Sequence, residues 1–161
     1  MARSIGYRAG VVILFLLAYG TGAVQALEGK AAPPAPSPEE TVTRYLEALK
    51  AGDFAAAYDC ISAAMAQHKG REAWVKEQQW TMQMSDAKIF DFHVYPGKLE
   101  GTVAHVPDIL SSQDKFLNQL GVQEHELYTL VREDGRWKID QQQLLEKSEQ
   151  GKWFPAPAQA Q

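Results

Sequence analysis

The apolar residues of this chain change their repeat once, just after Ser85, and that change restricts its architecture more than any other feature. Before it they recur at helical spacing. Val42, Tyr45, Leu46 and Leu49 stand at i, i+3, i+4 and i+7 and make one apolar face. Ser37-Pro38-Glu39-Glu40 opens that helix with a cap, a proline suited to the first turn, and a glutamate that completes a capping box. Gly52 ends it and Asp53 caps the next, where Phe54, Ala57, Tyr58, Ile61 and Met65 repeat the spacing. A third helical stretch is predicted from about Arg71 to Gln83, with Trp74, Val75, Gln78 and Met82 roughly on one side. None of the three is long enough to stand alone.

Beyond Ser85 the period is two. Lys88 to Tyr95 is rich in aromatic and β-branched residues, with Phe90, Phe92 and Val94 on one face and Asp91 and His93 on the other. Pro96-Gly97 supplies a turn, and Thr102 to Val106 is predicted to return as a second strand. Ser111 to Gly121 reads as a polar connector. Glu126 to Glu133 and Arg136 to Asp140 are the third and fourth strands, joined at Asp134-Gly135, a strong hairpin signal. Helices first and antiparallel strands afterwards predict an α+β layer architecture.

Two stretches carry a family likeness. Pro38 to Tyr58, with its Gly52-Asp53 step between helices, and Leu130 to Ile139, with Glu133-Asp-Gly-Arg-Trp-Lys-Ile, resemble the opening and closing landmarks of nuclear-transport-factor-2-like domains, the superfamily that includes SnoaL-like and ketosteroid-isomerase-like proteins. The resemblance covers about residues 38–141. It implies N-terminal helices packed on a strongly curved antiparallel sheet, a cone whose hollow can hold a small molecule. Members of that superfamily range from isomerases, dehydratases and cyclases to adaptors and exported domains without chemistry, so the likeness implies a fold and leaves the activity open.

The ends differ from the middle. In residues 1–26 only Arg3 and Arg8 are charged; the apolar run Val11 to Ala18 follows, and Val24-Gln25-Ala26 offers small residues at −3 and −1. That is the pattern of a secretory signal peptide cleaved after Ala26, which predicts an exported protein, periplasmic or extracellular. The alternative is an uncleaved anchor, since Ala9 to Ala26 is nearly of membrane-spanning length. Residues 27–37 form a Pro/Ala-rich linker that favours extended polyproline geometry. Residues 142–161 read as a C-terminal tail, partly disordered.

Composition narrows the chemistry. The chain of 161 residues has room for one folded unit, with 16 Lys+Arg against 20 Asp+Glu. An acidic balance argues against a nucleic-acid partner, and the lone Cys60 excludes a disulfide framework or a multi-cysteine zinc site. Cys60 itself reads as a small buried hydrophobe. Glycine-rich phosphate loops, G-x-S-x-G elbows and H-E-x-x-H motifs are absent from the sequence.

Tyr45, Tyr58, Trp74, Phe90, Phe92 and Trp137 are the candidate lining of a hollow between helices and sheet. Trp74 and Trp80, six residues apart, cannot share one helical face, so one of them meets a second surface. If the predicted first two strands pair, Asp91, His93 and His105 gather on the outer face. An Asp–His base or a His₂Asp metal site is the sharp reading of that set, and a solubilising outer face is the simpler one, because helical His spacing is absent. Glu124-His125-Glu126 reads as an edge or loop feature. No catalytic residue of the enzymatic relatives maps onto a position here, and no cofactor is expected. The sequence thus predicts an exported non-catalytic domain that binds a small apolar ligand or a protein, a second copy included. The alternatives are an enzyme acting on a small apolar molecule in the cone, and a membrane-anchored accessory domain.

Overall fold

The computed structural model describes residues 35–155. The expected signal peptide, most of the linker and the last six residues lie outside that range. Three helices come first: α1 (Pro38–Ala51), α2 (Phe54–Tyr58) and α3 (Arg71–Ser85). Five strands follow, β1 (Lys88–Val94), β2 (Lys98–Glu100), β3 (Val103–Gln113), β4 (Gln123–Glu133) and β5 (Arg136–Leu144), and then α4 (Lys147–Trp153). The strands form one curved, unclosed antiparallel sheet in the order β1-β3-β4-β5, with β2 also paired to β3. Among the described residues no helix is long and apolar enough to cross a membrane.

The start of α1 is built as its sequence demands. Glu40 N donates to Ser37 Oγ at 3.1 Å and Ser37 N donates to Glu40 Oε2 at 2.9 Å, a complete capping box. Gly52 ends the helix at φ 72°, a conformation that glycine adopts without strain. Near the same helix start, Gly97 N donates to Glu39 Oε1 at 2.9 Å. A Cβ at Gly97 would lie 2.9 Å from both His105 O and Val106 Cγ2, so only glycine lets this turn close against β3 and the helix.

Val42 and Leu46 of α1 meet Val106, Tyr128, Leu130 and Ile139 of the sheet, all at most 1 % exposed. These residues are the centre of the core and they fill the hollow at that point.

Several elements differ from the sequence reading. The second helix stops at Tyr58 rather than continuing to Met65, because the backbone beyond it is recruited by β5. Ser62 N donates to Ile139 O and Ile139 N to Cys60 O, each at 2.8 Å, and Ile61 bridges Ile139. The strand predicted to end at Val106 runs on through Pro107 to Gln113. Proline supplies no N–H there, but its carbonyl accepts from Tyr95 N at 2.9 Å, so the strand survives it. Five strands replace four, since Lys98–Glu100 pairs separately with Val103–His105. Of the segment read as a tail, residues 142–144 finish β5 and α4 follows.

Helix α4 lies against the outer face of the sheet. Trp153 packs on His105 with ring centres 5.5 Å apart, Phe154 meets Tyr95 at 5.2 Å and His125 at 4.9 Å, and Lys98 Nζ donates to Lys152 O at 2.5 Å.

Candidate functional site

Alternation along β3 sends Ala104, Val106, Asp108, Leu110 and Ser112 to the concave face; along β4 it sends Glu124, Glu126, Tyr128 and Leu130 there. Register sets Asp108 directly opposite Glu126, and Leu110 opposite Glu124. Two carboxyl groups therefore face each other across strands inside the fold, and both are buried.

Their partners are unequal. Glu126 Oε2 accepts from the Tyr128 hydroxyl at 2.8 Å, and Oε1 accepts from Gln142 Nε2 at 3.0 Å. Neither carboxyl oxygen of Asp108 receives a hydrogen bond from any donor. Asp108 can satisfy itself only by holding a proton and donating it to Glu126, as in other closely apposed carboxyl pairs. Burial, then the charge of Glu126, the hydrogen bond to Glu126 and the charge of Glu124 push its pKa up to about 8. Burial also raises that of Glu126, partly offset by its donors Tyr128 and Gln142. The Tyr128 hydroxyl is likewise held neutral, by burial and by the Glu126 charge.

This pair stands at a boundary. Toward the Asp134-Gly135 hairpin the concave face is covered by α1, and Trp137, Ile139 and Leu130 are buried. Toward the other end the face is exposed along β5, while Leu110 of β3 stays buried. Gln142 is exposed, and Leu144, opposite Glu126, is 62 % exposed. Glu124 is half-buried; one of its oxygens accepts from Ser112 Oγ at 2.8 Å. Ile89 and Phe92 of β1 are half-buried beside Leu110.

The rim at this open end is apolar and ordered. The loop from Asp114 to Val122 exposes Phe116, Leu117, Leu120 and Val122, with Leu117 at 94 % and Leu120 at 90 %. Its backbone is fixed from within. Asp114 accepts from the amides of Phe116, Leu117 and Asn118, while Asn118 donates to Ser112 O and Val122 O and accepts from Val122 N. Lys115 N donates to Ser85 O at 3.0 Å, tying the loop to the end of α3, where Met84 is exposed.

Of the residues expected to line a hollow, Trp137, though mostly buried, borders the pocket of about 820 Å³ between α1, α2 and β5, and Tyr58 borders another. Tyr45 and Trp74 are packed core on the covered side. Tyr45 meets Tyr128 edge-on at 6.1 Å, and Tyr58, half-buried, meets Trp74 at 5.7 Å while its hydroxyl donates to Lys69 O. Phe92 is inward, but Phe90 is not. A β-bulge between Ile89 and Asp91 inserts Phe90 as an extra residue, so Ile89, Phe92 and Val94 face the core and Phe90 is 51 % exposed. Trp80 turns outward where Trp74 turns inward.

Asp91, His93 and His105 share the outer face but are not brought together. Asp91 pairs with Ser111 and His93 with Ile109, whereas His105 pairs with Lys98 and Thr129. Four residues along β3 separate the two histidine positions, about 13 Å at strand rise. Strand β1 pairs with Asp108 to Gln113 of β3, of which the sequence reading assigns Ser111 to Gln113 to a connector. Among the described residues no three His, Cys, Asp or Glu side chains stand where they could hold a metal ion.

Shallow pockets of about 320 to 820 Å³ lie among the described residues, and in the four best of them neither Asp108 nor Glu126 is part of the lining. The acid pair is sealed as it stands. Glu124, Glu126 and Asp108 were the residues sequence reasoning missed. Their signal was the alternation Glu124-Glu126-Tyr128-Leu130, in which two acids share the face of two core residues.

Helices laid on the concave side of a curved, unclosed antiparallel sheet give this chain the α+β layer architecture expected from the order of its elements. No family model matches the sequence, and no curated protein matches it. Solved structures do. A SEC-C motif containing protein from Rhodopseudomonas palustris superposes with a TM-score of 0.51 at 14% identity, over 68% of this chain and 80% of that one. A putative ketosteroid isomerase from Shewanella frigidimarina gives 0.48 at 17% identity, over 68% and 95%. An NTF2-like protein of unknown function from Cytophaga hutchinsonii gives 0.42 at 14%, over 71% and 93%.

Proposed function

We propose that this chain is an exported, non-catalytic binding domain whose ligand seats on the open half of the concave face. One observation carries the reading: on the same face of the same strands, Leu130 and Ile139 are wholly buried while Leu144 is 62 % exposed, at the end that carries the exposed rim of Phe116, Leu117, Leu120 and Val122. Contiguous exposed apolar surface of this kind marks a binding site. Binding is favoured over catalysis because Asp108, its pKa pushed up to about 8, is wholly buried, and a general acid or base must come within hydrogen-bond reach of its substrate. The proton-sharing pair is the feature that supports the second reading, an acid–base enzyme acting on a small apolar molecule, and substrate would then have to open the floor of the cone.

The test is a neutral apolar dye, Nile red, titrated into the purified chain. Blue-shifted, saturable fluorescence that weakens about tenfold or more in Leu144→Glu supports the open half as the seat. Fluorescence unchanged by that substitution, or absent altogether, overturns the reading. Export rests on residues 1–26. N-terminal sequencing of native protein is expected to begin at Leu27, and a native chain beginning at Met1 or Ala2 would point to the anchored alternative.

A further inference from the structure

We propose that the ligand of the open concave half is an organic ammonium ion on an apolar body, its charge held against Glu124 beside the buried Asp108–Glu126 pair. This rests on the open half being the binding seat and adds the chemistry of what it takes. Half-buried Ile89 and Phe92 and exposed Leu144 share this face with three carboxyl groups that no cation answers. None of the ion pairs among the described residues includes Glu124, Glu126 or Asp108. Glu124 is the reachable member, and only its Oε2 is occupied by Ser112.

Asp108 supplies the independent observation. It is wholly buried, it points to the concave side, and as a carboxylate it has no donor at either oxygen. Uncharged packing would serve this position better unless a positive charge visits it. Every group that faces it from a neighbouring element is neutral or acidic: Val94 of β1, Glu124, Glu126 and Tyr128 of β4, Tyr45 of α1 beyond them, and Gln142 of β5. An ammonium group on Glu124 lies one diagonal step from Asp108, within the range of cross-strand neighbours. Its charge offsets the repulsion that keeps the shared proton on the pair, so that proton leaves to solvent as the ligand binds. Cation uptake and proton release are thereby coupled.

Calorimetric titration with n-hexylammonium and with hexan-1-ol separates charge from apolar bulk. The ammonium is expected to bind at least about tenfold more tightly, the gain of a charge-assisted over a neutral hydrogen bond. Its affinity should rise several-fold from pH 6 to pH 9, and heats in two buffers of different ionisation enthalpy should reveal protons released at pH 7. Glu124→Gln should abolish the preference while leaving hexanol binding in place. Asp108→Asn should keep a preference but flatten its pH dependence and end the proton release. Equal binding of the two probes, or a preference indifferent to Glu124→Gln, overturns the inference. If Nile red still binds in that case, only the ammonium chemistry has failed and the open half stands as a seat. If neither probe nor dye binds, both readings fall.

Discussion

Along β4 and β5 the two ends of one concave face meet different fates. Toward Glu133 and Arg136 the strands carry Leu130, Trp137 and Ile139 beneath helix α1, and those side chains are out of water. Toward Gln123 and Leu144 the same alternation continues, and among the described residues Leu144 is left 62 % exposed. Length accounts for much of this. A strand of 11 residues spans about 36 Å, whereas the 14 residues of α1 span about 21 Å, so the helix cannot roof the sheet from end to end. The acid pair lies where the roof stops. The buried charge of Glu126 is tolerable there because Gln142 and Tyr128, themselves opposite one another across β4 and β5, both donate to it.

The sharpest way to break the contrast is to truncate a side chain from each half. Ile139→Ala removes a wholly buried group that also anchors Cys60 and Ser62 through its backbone, and it should lower unfolding free energy by about 2–5 kcal/mol. Chemical denaturation measures this directly, and a loss under about 1 kcal/mol would mean the covered half is not the core.

Next in size is the boundary itself. The native pKa of Asp108 lies above the ordinary value of 3.8, at about 8, so between those two pH values the folded chain holds a proton that the unfolded chain has lost. Its contribution to stability is complete below the lower value, declines as pH rises through that window, and is flat beyond it. Burial raises Glu126 in the same direction. Asp108→Asn cannot ionise and can still donate to Glu126. At pH 9 it should therefore exceed the parent in stability by about 1–3 kcal/mol, with the advantage shrinking toward pH 5. Melting curves across that range would show it, and parallel curves for parent and variant would show that the pair carries no buried charge.

The smallest effect belongs to the open half. Leu144→Ala should change stability by no more than about 0.5 kcal/mol, since the side chain already stands mostly in water. A loss comparable with that of Ile139→Ala would show that something in the full chain covers Leu144.

Much of this arrangement was legible in the sequence. The cap at Ser37, the glycine stop at Gly52, the hairpin at Asp134-Gly135 and the inward pair Trp137 and Ile139 are local signals, and the structure follows each. What was not legible depended on pairing. Pro107 looked like the end of a strand until Tyr95 N found its carbonyl, so Asp108 was never placed in the sheet. The bulge at Phe90 reversed the phase of one residue, and nothing in Ile89-Phe90-Asp91 announces an extra residue. The candidate site was missed for a related reason: Glu124 and Glu126 look like solvated strand ends unless their opposite numbers on β3 are known.

The loop from Asp114 to Val122 has a thermodynamic consequence. Ordering a flexible surface segment on contact with a ligand forfeits roughly 1–2 kcal/mol of conformational entropy per residue. Here Asp114 and Asn118 have already fixed the backbone that carries Phe116, Leu117, Leu120 and Val122. Only side-chain rotation is left to lose, so an encounter at this rim should show a small entropic penalty and a fast, nearly rigid-body approach.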